Sequence, residues 1–331
     1  MAKEYFVKTG LVPAAVDAIL DSDSFLQSLP RIDEISPVMG GVAHQVFQIR
    51  SGDKRYYLKI RGDRFASVPE ITCNPDDIES EYRALTAFHQ VSPDNFPQVL
   101  AFDKNRHYVI LSDAMPNGEK LEDLFVEGKV TPTILFNIGS TLKKIHAASS
   151  SYRDTIRDGG DQIYYHTVLG HRFGYRHHPV LDSLVQSLSA LHNKHLILGD
   201  ASPKNIGVNN NGELFIFFDL ETAHQGDVVF DYAYFLGHIL VHSLTSPPEI
   251  ALADAESYVQ GYGQHDFDDL MVKQIALGTM LYRLRSIIPY PTGLDAEQTT
   301  IMEQKVESML PHNLAQSSWA EIIAFIHHGQ N

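Results

Sequence analysis

The sequence of 331 residues contains a single cysteine, Cys73, so a disulfide within the chain is excluded. This shortage favours a reducing compartment, and no local motif makes Cys73 a candidate nucleophile. The sequence has no apolar run long enough to cross a bilayer, and the first residues, which include Lys3 and Lys8, contain no signal-peptide core. We therefore expect a cytoplasmic protein that does not have a membrane as a partner.

Basic residues are also scarce, because 26 Lys and Arg stand against 41 Asp and Glu and give a formal net charge of -15. This balance argues against nucleic acid or an anionic membrane surface as a partner. Most of the negative charge lies in residues 113–331, which favours a cationic or neutral substrate over an anionic one. An acidic surface that serves solubility explains the same charge, and that alternative stays open. The composition does not indicate an oligomeric state.

The hydrophobic pattern changes character near residue 112, which predicts two parts and an α+β fold class. The predicted elements of the first part are helices at 11–29 and 76–90 and strands at 46–49, 56–60, 96–101 and 107–111. Residues 112–118 are rich in turn formers and are interpreted as a linker. Beyond them the pattern is mainly helical, with one helix starting at Thr131 and Pro132 and another predicted over 181–195.

Three polar side chains in the second part follow apolar segments at a distinctive spacing. Asp200 comes directly after the run Leu196 to Leu198 and a glycine, Asn205 lies five residues later, and Asp219 ends a second apolar run. A carboxylate that accepts a hydroxyl proton, together with an amide and a carboxylate that hold metal ions, is what phosphoryl transfer from Mg·ATP requires. Each residue alone could be a turn or cap residue, but the joint spacing favours this chemistry.

The first part contributes candidate nucleotide-binding residues. Lys59 lies inside a predicted strand, where a fixed ammonium group can meet phosphate oxygens. Glu81 on the following helix can hold Lys59 by an ion pair, and Glu79 is the rival partner. Gly40 and Gly41 precede the strands, and their lack of side chains allows the backbone to approach phosphates closely.

These segments resemble the aminoglycoside phosphotransferase family, which has a protein-kinase-like fold and is similar to the choline kinases. The matching segments are Gly40-Gly41-Val42 with Val46-Phe47, Leu58-Lys59, Glu81 with Ala84-Leu85, Leu111-Ser112-Asp113, Leu142 with Ile145-His146-Ala147, Gly199-Asp200 through Asn205, Asp219, and Gly226-Asp227 with Phe230 to Ala233.

The resemblance implies a bilobal fold with ATP between the lobes: a small antiparallel-sheet ATP-binding lobe at residues 1–112 and a larger, mainly helical, catalytic and substrate-binding lobe at 113–331. It implies that Lys59, paired with Glu81, contacts phosphates and that backbone groups from Asp113 to Met115 hold adenine.

For the second lobe the resemblance implies that Asp200 orients and deprotonates the acceptor hydroxyl. Asn205 and Asp219 would bind Mg²⁺, and Asp231 would brace the catalytic loop. The implied reaction is ATP-dependent phosphorylation of a hydroxyl group on a small molecule, and the implied cofactors are ATP and Mg²⁺.

The chain departs from the family pattern at Leu198, where the family usually has a histidine that braces the loop. Glu221, two residues after Asp219, is interpreted as a residue that tunes the metal site or contacts substrate, and Lys204 as a contact to the γ-phosphate. A tract of histidines and tyrosines at 164–178 is interpreted as a lid or substrate-facing loop, and its spacing matches no zinc site.

Three functions are weighed against each other. A small-molecule kinase is the leading hypothesis, with an amine-bearing alcohol, a sugar or an aminoglycoside as the expected acceptor. A protein kinase is disfavoured, because only residues 220–230 separate Asp219 from Asp231 and leave no room for a long activation segment. A non-catalytic nucleotide-binding regulator of the same fold is the alternative, for which Leu198 is the supporting feature.

Overall fold

A computed structural model provides the description of the protein. The residues that it describes are 6–7, 14–38, 44–66, 69–70, 72–115, 118–155, 172–174, 177–191, 195–209, 212–286, 290–312 and 314–328. Within these ranges no helix combines the length and the apolarity needed to cross a membrane. The chain divides into two compact units, Met1–Pro116 and Asn117–Asn331. The assignment of nucleotide binding to one unit and catalysis to the other stays a prediction.

The first unit is built on a six-stranded sheet. Its strands are β1 (Phe6–Val7), β2 (Glu34–Pro37), β3 (His44–Ser51), β4 (Lys54–Arg61), β5 (Val99–Asp103) and β6 (Tyr108–Ser112), and its helices are α1 (Ala14–Ser22), α2 (Ser24–Ser28) and α3 (Ile78–Val91). The strand order is β1-β2-β3-β4-β6-β5, and all neighbours are antiparallel except the edge pair of β1 and β2. The antiparallel sheet predicted for this part of the chain is confirmed.

The start of α2 corrects the prediction of one continuous helix over residues 11–29. Asp23 has an extended backbone, and its carboxylate accepts a hydrogen bond of 3.0 Å from the backbone N–H of Leu26. An aspartate that caps a helix in this way begins a new helix rather than continuing the previous one. Both helices nevertheless pack on one face of the sheet, where Val16 and Leu26 are fully buried.

The second unit is mainly helical, as predicted. Its helices are α4 (Leu121–Val126), α5 (Pro132–Ser149), α6 (Pro179–Ala190), α7 (Val228–His242), α8 (Pro248–Tyr262), α9 (Asp269–Leu284), α10 (Ala296–Met309) and α11 (Trp319–His327). Its strands are β7 (Glu119–Lys120), β8 (His195–Ile197), β9 (Ile206–Val208), β10 (Phe215–Phe217) and β11 (His224–Gly226). They form a sheet in the order β10-β9-β7 and a separate antiparallel pair of β8 with β11.

The predicted helix over 181–195 is wrong at its C-terminal end, because α6 ends at Ala190 and His195 opens β8. The apolar residues that follow are buried through pairing with β11, where Leu196 faces Gln225. A short, fully buried strand and a buried helical turn have the same apolar composition, so hydrophobic periodicity does not distinguish them. The predicted helix start at Thr131 is confirmed, since its hydroxyl accepts from the backbone N–H of Ile134.

Helices α5 and α8 approach each other through two glycines. A Cβ atom on Gly139 would lie closer than 3.0 Å to the backbone of Tyr258, and one on Gly261 would lie equally close to the backbone of Phe136. Real Cβ atoms essentially never make such contacts. The obstructing atoms are backbone atoms inside helices, which cannot rotate away as a flexible side chain can. The crossing therefore depends on both glycines.

Gly261→Ala should destabilise the protein by about 1–3 kcal/mol, the usual cost of overpacking. Alanine gains about 1 kcal/mol over glycine in helix propensity, but the clash with Phe136 outweighs this gain. Urea denaturation of the wild type and the variant measures the difference. Gln260→Ala, an exposed change on the same helix, is the control and should stay within about 0.5 kcal/mol. A Gly261→Ala protein as stable as the control would contradict the proposed tight crossing.

Candidate active site

The loop after β8 carries Asp200, and its backbone requires a glycine just before it. Gly199 has a φ of 72°, a region that residues with side chains rarely adopt. A Cβ atom there would also lie closer than 3.0 Å to the backbone carbonyl of Thr222. Both constraints point to glycine, so this residue sets the direction in which Asp200 leaves the strand.

Asp231 holds this loop through main-chain atoms. Its carboxylate is fully buried in α7 and accepts two hydrogen bonds, from the backbone N–H of Leu198 at 2.7 Å and of Gly199 at 2.9 Å. His146 Nε2 lies 3.4 Å from the same carboxylate. The brace therefore uses no atom of the side chain at position 198. Leu198 in place of the usual histidine leaves these two hydrogen bonds in place.

The structure brings Asp200, Asn205 and Asp219 together at one end of the β9–β10 hairpin. The side-chain amide of Asn205 donates to Asp200 Oδ2 at 3.1 Å and to the Asp200 backbone carbonyl at 3.2 Å. The backbone N–H of Phe218 donates to the carbonyl of Asn205 at 3.0 Å, so Asp219 follows one residue beyond that contact. Asp219 has a φ of 63°, and such backbone outliers in residues other than glycine concentrate at functional sites.

The donor set of Asn205 and Asp219 fits a hard divalent cation. The amide nitrogen of Asn205 donates to Asp200, so Oδ1 is the side-chain atom of Asn205 that can bind a metal. An amide oxygen and a carboxylate are the ligand types that Mg²⁺ takes in proteins, usually together with water and phosphate oxygens. Glu221 lies half-buried two residues further along the chain.

Three cations surround the carboxylate of Asp200, whose side chain is 9% exposed. Lys204 Nζ lies 3.3 Å from Oδ2, while Nη2 of Arg283 and of Arg172 lie 3.5 and 3.7 Å from Oδ1. Burial by itself raises the pKa of Asp200, but the positive charges of Lys204, Arg172 and Arg283 outweigh it and hold the pKa far below its usual range. Asp200 is therefore ionised at every pH at which the protein is expected to work.

A chain of polar groups continues from Arg283 into α7. Arg283 donates to His238 Nε2 at 3.3 Å, and because a guanidinium group only donates, His238 carries its proton on Nδ1. That nitrogen donates to the Tyr290 hydroxyl at 2.7 Å, which in turn donates to His242 Nε2 at 2.9 Å. Burial, followed by the charge of Arg283, lowers the pKa of His238 well below its usual value and that of His242 to about 3. Both histidines are neutral in the folded protein.

The free energy of unfolding should therefore decrease at acid pH, because His242 becomes protonated more readily in the unfolded chain. Its pKa is about 3 when folded and about 6.5 when unfolded, so protonation favours the unfolded chain. The contribution of neutral His242 to the free energy of unfolding is fully present above pH ~6.5 and is lost progressively as the pH falls toward 3. About 1–2 kcal/mol of it should be lost at pH ~5. Urea denaturation at several pH values should show a smaller acid loss for His242→Gln than for the wild type. His312→Gln, at an exposed position, is the control, and equal slopes in all three proteins would contradict the prediction.

In the first unit Lys59 and Glu81 form a buried ion pair, with Lys59 only 5% exposed and Glu81 fully buried. Register places Lys59 on β4 between Val46 of β3 and Val109 of β6, so its side chain projects from the middle of the sheet. His44 Nε2 lies 3.4 Å from the second oxygen of Glu81. Glu79 does not compete for Lys59, because its carboxylate pairs with cations at the surface of α3. Phosphate binding by Lys59 stays a prediction.

The segment expected to hold adenine has internal hydrogen bonds of its own. The backbone N–H of Met115 donates to Asp113 Oδ1 at 2.8 Å, and its carbonyl accepts from Arg55. Arg55 Nε also donates to Asp113 Oδ2 at 2.8 Å. Adenine binding there stays a prediction. It requires the backbone N–H and carbonyl of Met115 to replace their hydrogen bonds to Asp113 and Arg55, or to share them with adenine. Gly40 and Gly41, the other predicted nucleotide-binding residues, lie outside the described residues.

Two site residues were missed by the sequence reasoning, namely Arg172 and Arg283. A signal for Arg283 exists, because it continues the buried stripe of Ala276 and Met280 on α9 at helical spacing. A charged residue in such a stripe requires a buried partner. Arg172 lies in a segment without regular periodicity, so its position could not be inferred. Phe173, which lies in the segment predicted to be a lid or substrate-facing loop, is 2% exposed and packs against Phe230.

The other aromatic and histidine residues of the predicted lid have different outcomes. His178 caps α6 by accepting from the backbone N–H of Val180, which is a structural role. Tyr164, Tyr165, His166 and Tyr175 lie outside the described residues.

Comparison with known proteins places these features in context. The model of the phosphotransferase enzyme family matches residues 34–268, which is more than two-thirds of the chain. No curated protein matches the sequence significantly. Among solved structures, an amicoumacin kinase bound to AMP-PNP, Ca²⁺ and Ami is similar with a TM-score of 0.54 and 15% identity, over 92% of this chain and 99% of that chain.

Two further structures show the same fold. A spectinomycin phosphotransferase bound to ADP and spectinomycin has a TM-score of 0.52 and 13% identity, over 90% of this chain and 93% of its own. An aminoglycoside phosphotransferase from Streptomyces rimosus has a TM-score of 0.54 and 14% identity, over 81% of this chain and 98% of its own. These likenesses confirm the protein-kinase-like fold class, and the match to the family model shows that the chain belongs to the phosphotransferase enzyme family.

Proposed function

We propose that the protein is an ATP-dependent phosphotransferase that phosphorylates a hydroxyl group of a small molecule. The observation that carries this proposal is the state of the two oxygens of Asp200. Oδ2 is engaged by Asn205 and Lys204, whereas Oδ1 is buried and has no hydrogen-bond partner among the described residues. A buried carboxylate oxygen without a donor is costly unless a ligand supplies one. The hydroxyl of an acceptor is the donor that fits.

The depressed pKa of Asp200 defines its role in this proposal. A carboxylate that binds protons weakly is a poor general base early in a reaction, so its main task is to orient the hydroxyl. Oδ1 receives the hydroxyl proton as the hydroxyl oxygen bonds to the γ-phosphorus and the bond to the leaving oxygen of ADP breaks. Phosphoryl transfer suits such a base, because its loose transition state needs positioning and charge neutralisation more than early deprotonation.

The remaining residues bind and orient the nucleotide in this proposal. Asn205 and Asp219 would hold Mg²⁺, which supplies neutralisation of phosphate charge. Lys59, kept in place by Glu81, contacts phosphate oxygens. The nucleotide complexes of the amicoumacin kinase and the spectinomycin phosphotransferase support nucleotide use, and a small molecule with a hydroxyl group is the acceptor in this proposal.

A non-catalytic nucleotide-binding regulator is the competing function. Leu198 was the feature that supported it, because loss of the usual histidine weakens the case for an ordered catalytic loop. The hydrogen bonds from Leu198 and Gly199 to Asp231 remove that support, since they order the loop without a side chain at position 198. The hydrogen bond from the side-chain amide of Asn205 to Asp200 Oδ2 also supports the enzyme over the regulator.

Two measurements separate the enzyme from the regulator. Thermal unfolding with ATP in the presence and absence of Mg²⁺ should show a metal-dependent rise in Tm. Release of ADP should then be followed across a panel of alcohols, amino alcohols, sugars, hydroxy acids and aminoglycosides. Acceptor-dependent ADP release supports the enzyme. Nucleotide protection without turnover on any hydroxyl compound would favour the regulator.

A further inference from the structure

Two buried arginines from separate parts of the second unit converge on one carboxylate oxygen. Arg172 precedes α6 and Arg283 lies in the last turn of α9, yet both guanidinium groups lie within 3.7 Å of Asp200 Oδ1. Each side chain is 7% exposed. The distances permit ion pairing but are too long for hydrogen bonds, so Oδ1 lies within ion-pair distance of both guanidinium groups without a hydrogen bond to either.

The positive charge at this point exceeds the negative charge in contact with it. Among the described residues, Asp200 supplies the carboxylate within 4.0 Å of Arg172, Arg283 and Lys204, so one anion is in contact with three cations in this part of the chain. Glu122 interacts electrostatically with Arg283 and Lys204 from a longer distance. Burial raises the pKa of Glu122 despite these cations, so its ionised form is less favoured than that of an exposed glutamate. Buried charges are ordinarily paired, because desolvation of an unpaired ion costs several kcal/mol. The surplus predicts a missing anionic partner.

Aromatic rings hold both guanidinium groups in fixed positions. Arg172 lies 4.8 Å from the centre of the Tyr234 ring, and Arg283 lies 4.9 Å from that of Tyr282 and 4.7 Å from that of Tyr290. Arg283 also donates to the Tyr234 hydroxyl at 3.0 Å. Stacked guanidinium groups lose little freedom when they bind a ligand, and their planar geometry matches carboxylate and phosphate oxygens.

Arg283 retains an unused donor in this arrangement. Its Nε atom is buried and has no hydrogen-bond partner among the described residues. Arg283 and Asp200 are in ion-pair contact through Nη2 and Oδ1, and each of them carries a buried polar atom, Nε and Oδ1, without a hydrogen-bond partner among the described residues. A ligand that brings both a hydroxyl group and an anionic oxygen would satisfy the two together.

We infer that the acceptor carries an anionic oxygen group, a carboxylate or a phosphate, close to the hydroxyl that is phosphorylated, and that Arg172 and Arg283 bind this group. The inference rests on the proposed phosphotransferase function and names its substrate class. It departs from the expectation of an amine-bearing acceptor, which came from the net charge of the whole chain. Contacts within 4 Å decide recognition, because charges beyond about 10 Å are largely screened at physiological salt.

The test uses four compounds that share a three-carbon hydroxyl skeleton and differ in one group. Glycerate carries a carboxylate, glycerol phosphate a phosphate, glycerol no charge and aminopropanediol an ammonium group. Isothermal titration calorimetry measures their binding to the full chain with Mg·ADP, and ADP release from Mg·ATP measures turnover. We expect at least one of the two anions to bind at least about tenfold more tightly than glycerol and aminopropanediol.

Substitutions at the two arginines assign the binding to them. Arg172→Gln and Arg283→Gln should each weaken binding of the favoured anion by about 10–100-fold, the usual value of a charge-assisted hydrogen bond. Arg172→Lys and Arg283→Lys keep the charge and should retain part of the affinity, and circular dichroism checks that all variants fold. Arg285→Gln is the matched control, because Arg285 lies near the end of the same helix but pairs with Glu303 and Glu307.

The outcomes separate the inference from the function on which it rests. Equal binding of all four compounds, no binding of either anion, or anion binding unchanged in both glutamine variants would overturn the anionic acceptor. ADP release with glycerol or aminopropanediol alone would do the same while leaving the phosphotransferase function intact. Arginine-dependent anion binding without ADP release from any compound would support the anion site and count against the proposed reaction.

Discussion

Asp200→Asn should slow turnover by about two to four orders of magnitude while nucleotide binding stays nearly unchanged, which corresponds to about 3–5 kcal/mol in the activation barrier. The amide occupies the same volume but is a much weaker proton acceptor, and it no longer neutralises Arg172 and Arg283. The acceptor hydroxyl would then lose both its orienting partner and its proton acceptor. Steady-state rates with an acceptor from the panel, together with calorimetry for Mg·ADP, measure the two effects.

The matched control is Asp123→Asn, which makes the same change at an exposed position in α4 of the same unit. It should leave turnover unchanged. Because the pKa of Asp200 lies far below its usual range, the wild-type rate should also show no acid limb that titrates near pH 4 through this residue. Unchanged turnover in Asp200→Asn would contradict its role at the reacting hydroxyl.

Lys59→Met should destabilise the first unit by about 3–5 kcal/mol, the cost of removing one partner from a buried ion pair. The substitution leaves the carboxylate of Glu81, which is fully buried, without its ammonium partner. His44 Nε2 remains 3.4 Å from the second oxygen of this carboxylate in the wild-type arrangement. Urea denaturation measures the loss, and the proposed phosphate contact predicts weaker nucleotide binding as well.

A double variant separates these two roles of Lys59. Replacement of both ions, in Lys59→Met with Glu81→Leu, removes the unpaired charge and should recover most of the stability. Nucleotide binding should not recover, because the phosphate contact is still absent. Arg83→Met breaks the exposed pair with Glu79 on the same helix and should cost less than about 1 kcal/mol. Recovery of nucleotide affinity in the double variant would show that Lys59 acts only in folding.

The sequence sufficed for features that depend on short-range patterns. The β3–β4 hairpin, the cap at Thr131 and the grouping of Asp200 with Asn205 all follow from turn residues, capping residues and local spacing. Helical periodicity also favours Glu81 over Glu79 as the partner of Lys59, because it places Glu81 on the same face as the buried Leu85. These features can be predicted from the sequence because residues close together in the chain determine them.

Features set by distant residues could not be predicted. The placement of Arg172 and Arg283 beside Asp200 joins segments separated by many residues, and only the folded chain brings them within ion-pair distance. Strand β11 pairs with β8 across another long connection, and its three residues carry no strand pattern of their own. The substrate class that we infer depends on these long-range contacts, whereas the earlier expectation depended on the net charge of the whole chain.

The anchor at Asp231 has a consequence for how this loop can evolve. Its partners are peptide groups, which every residue other than proline supplies, so these two hydrogen bonds do not require a particular polar side chain two positions before Asp200. The two hydrogen bonds do require the carboxylate of Asp231, which lies 33 positions after Leu198 in helix α7. A search for relatives that required a histidine at the position of Leu198 would exclude this chain, whereas a search that required the carboxylate of Asp231 would keep it.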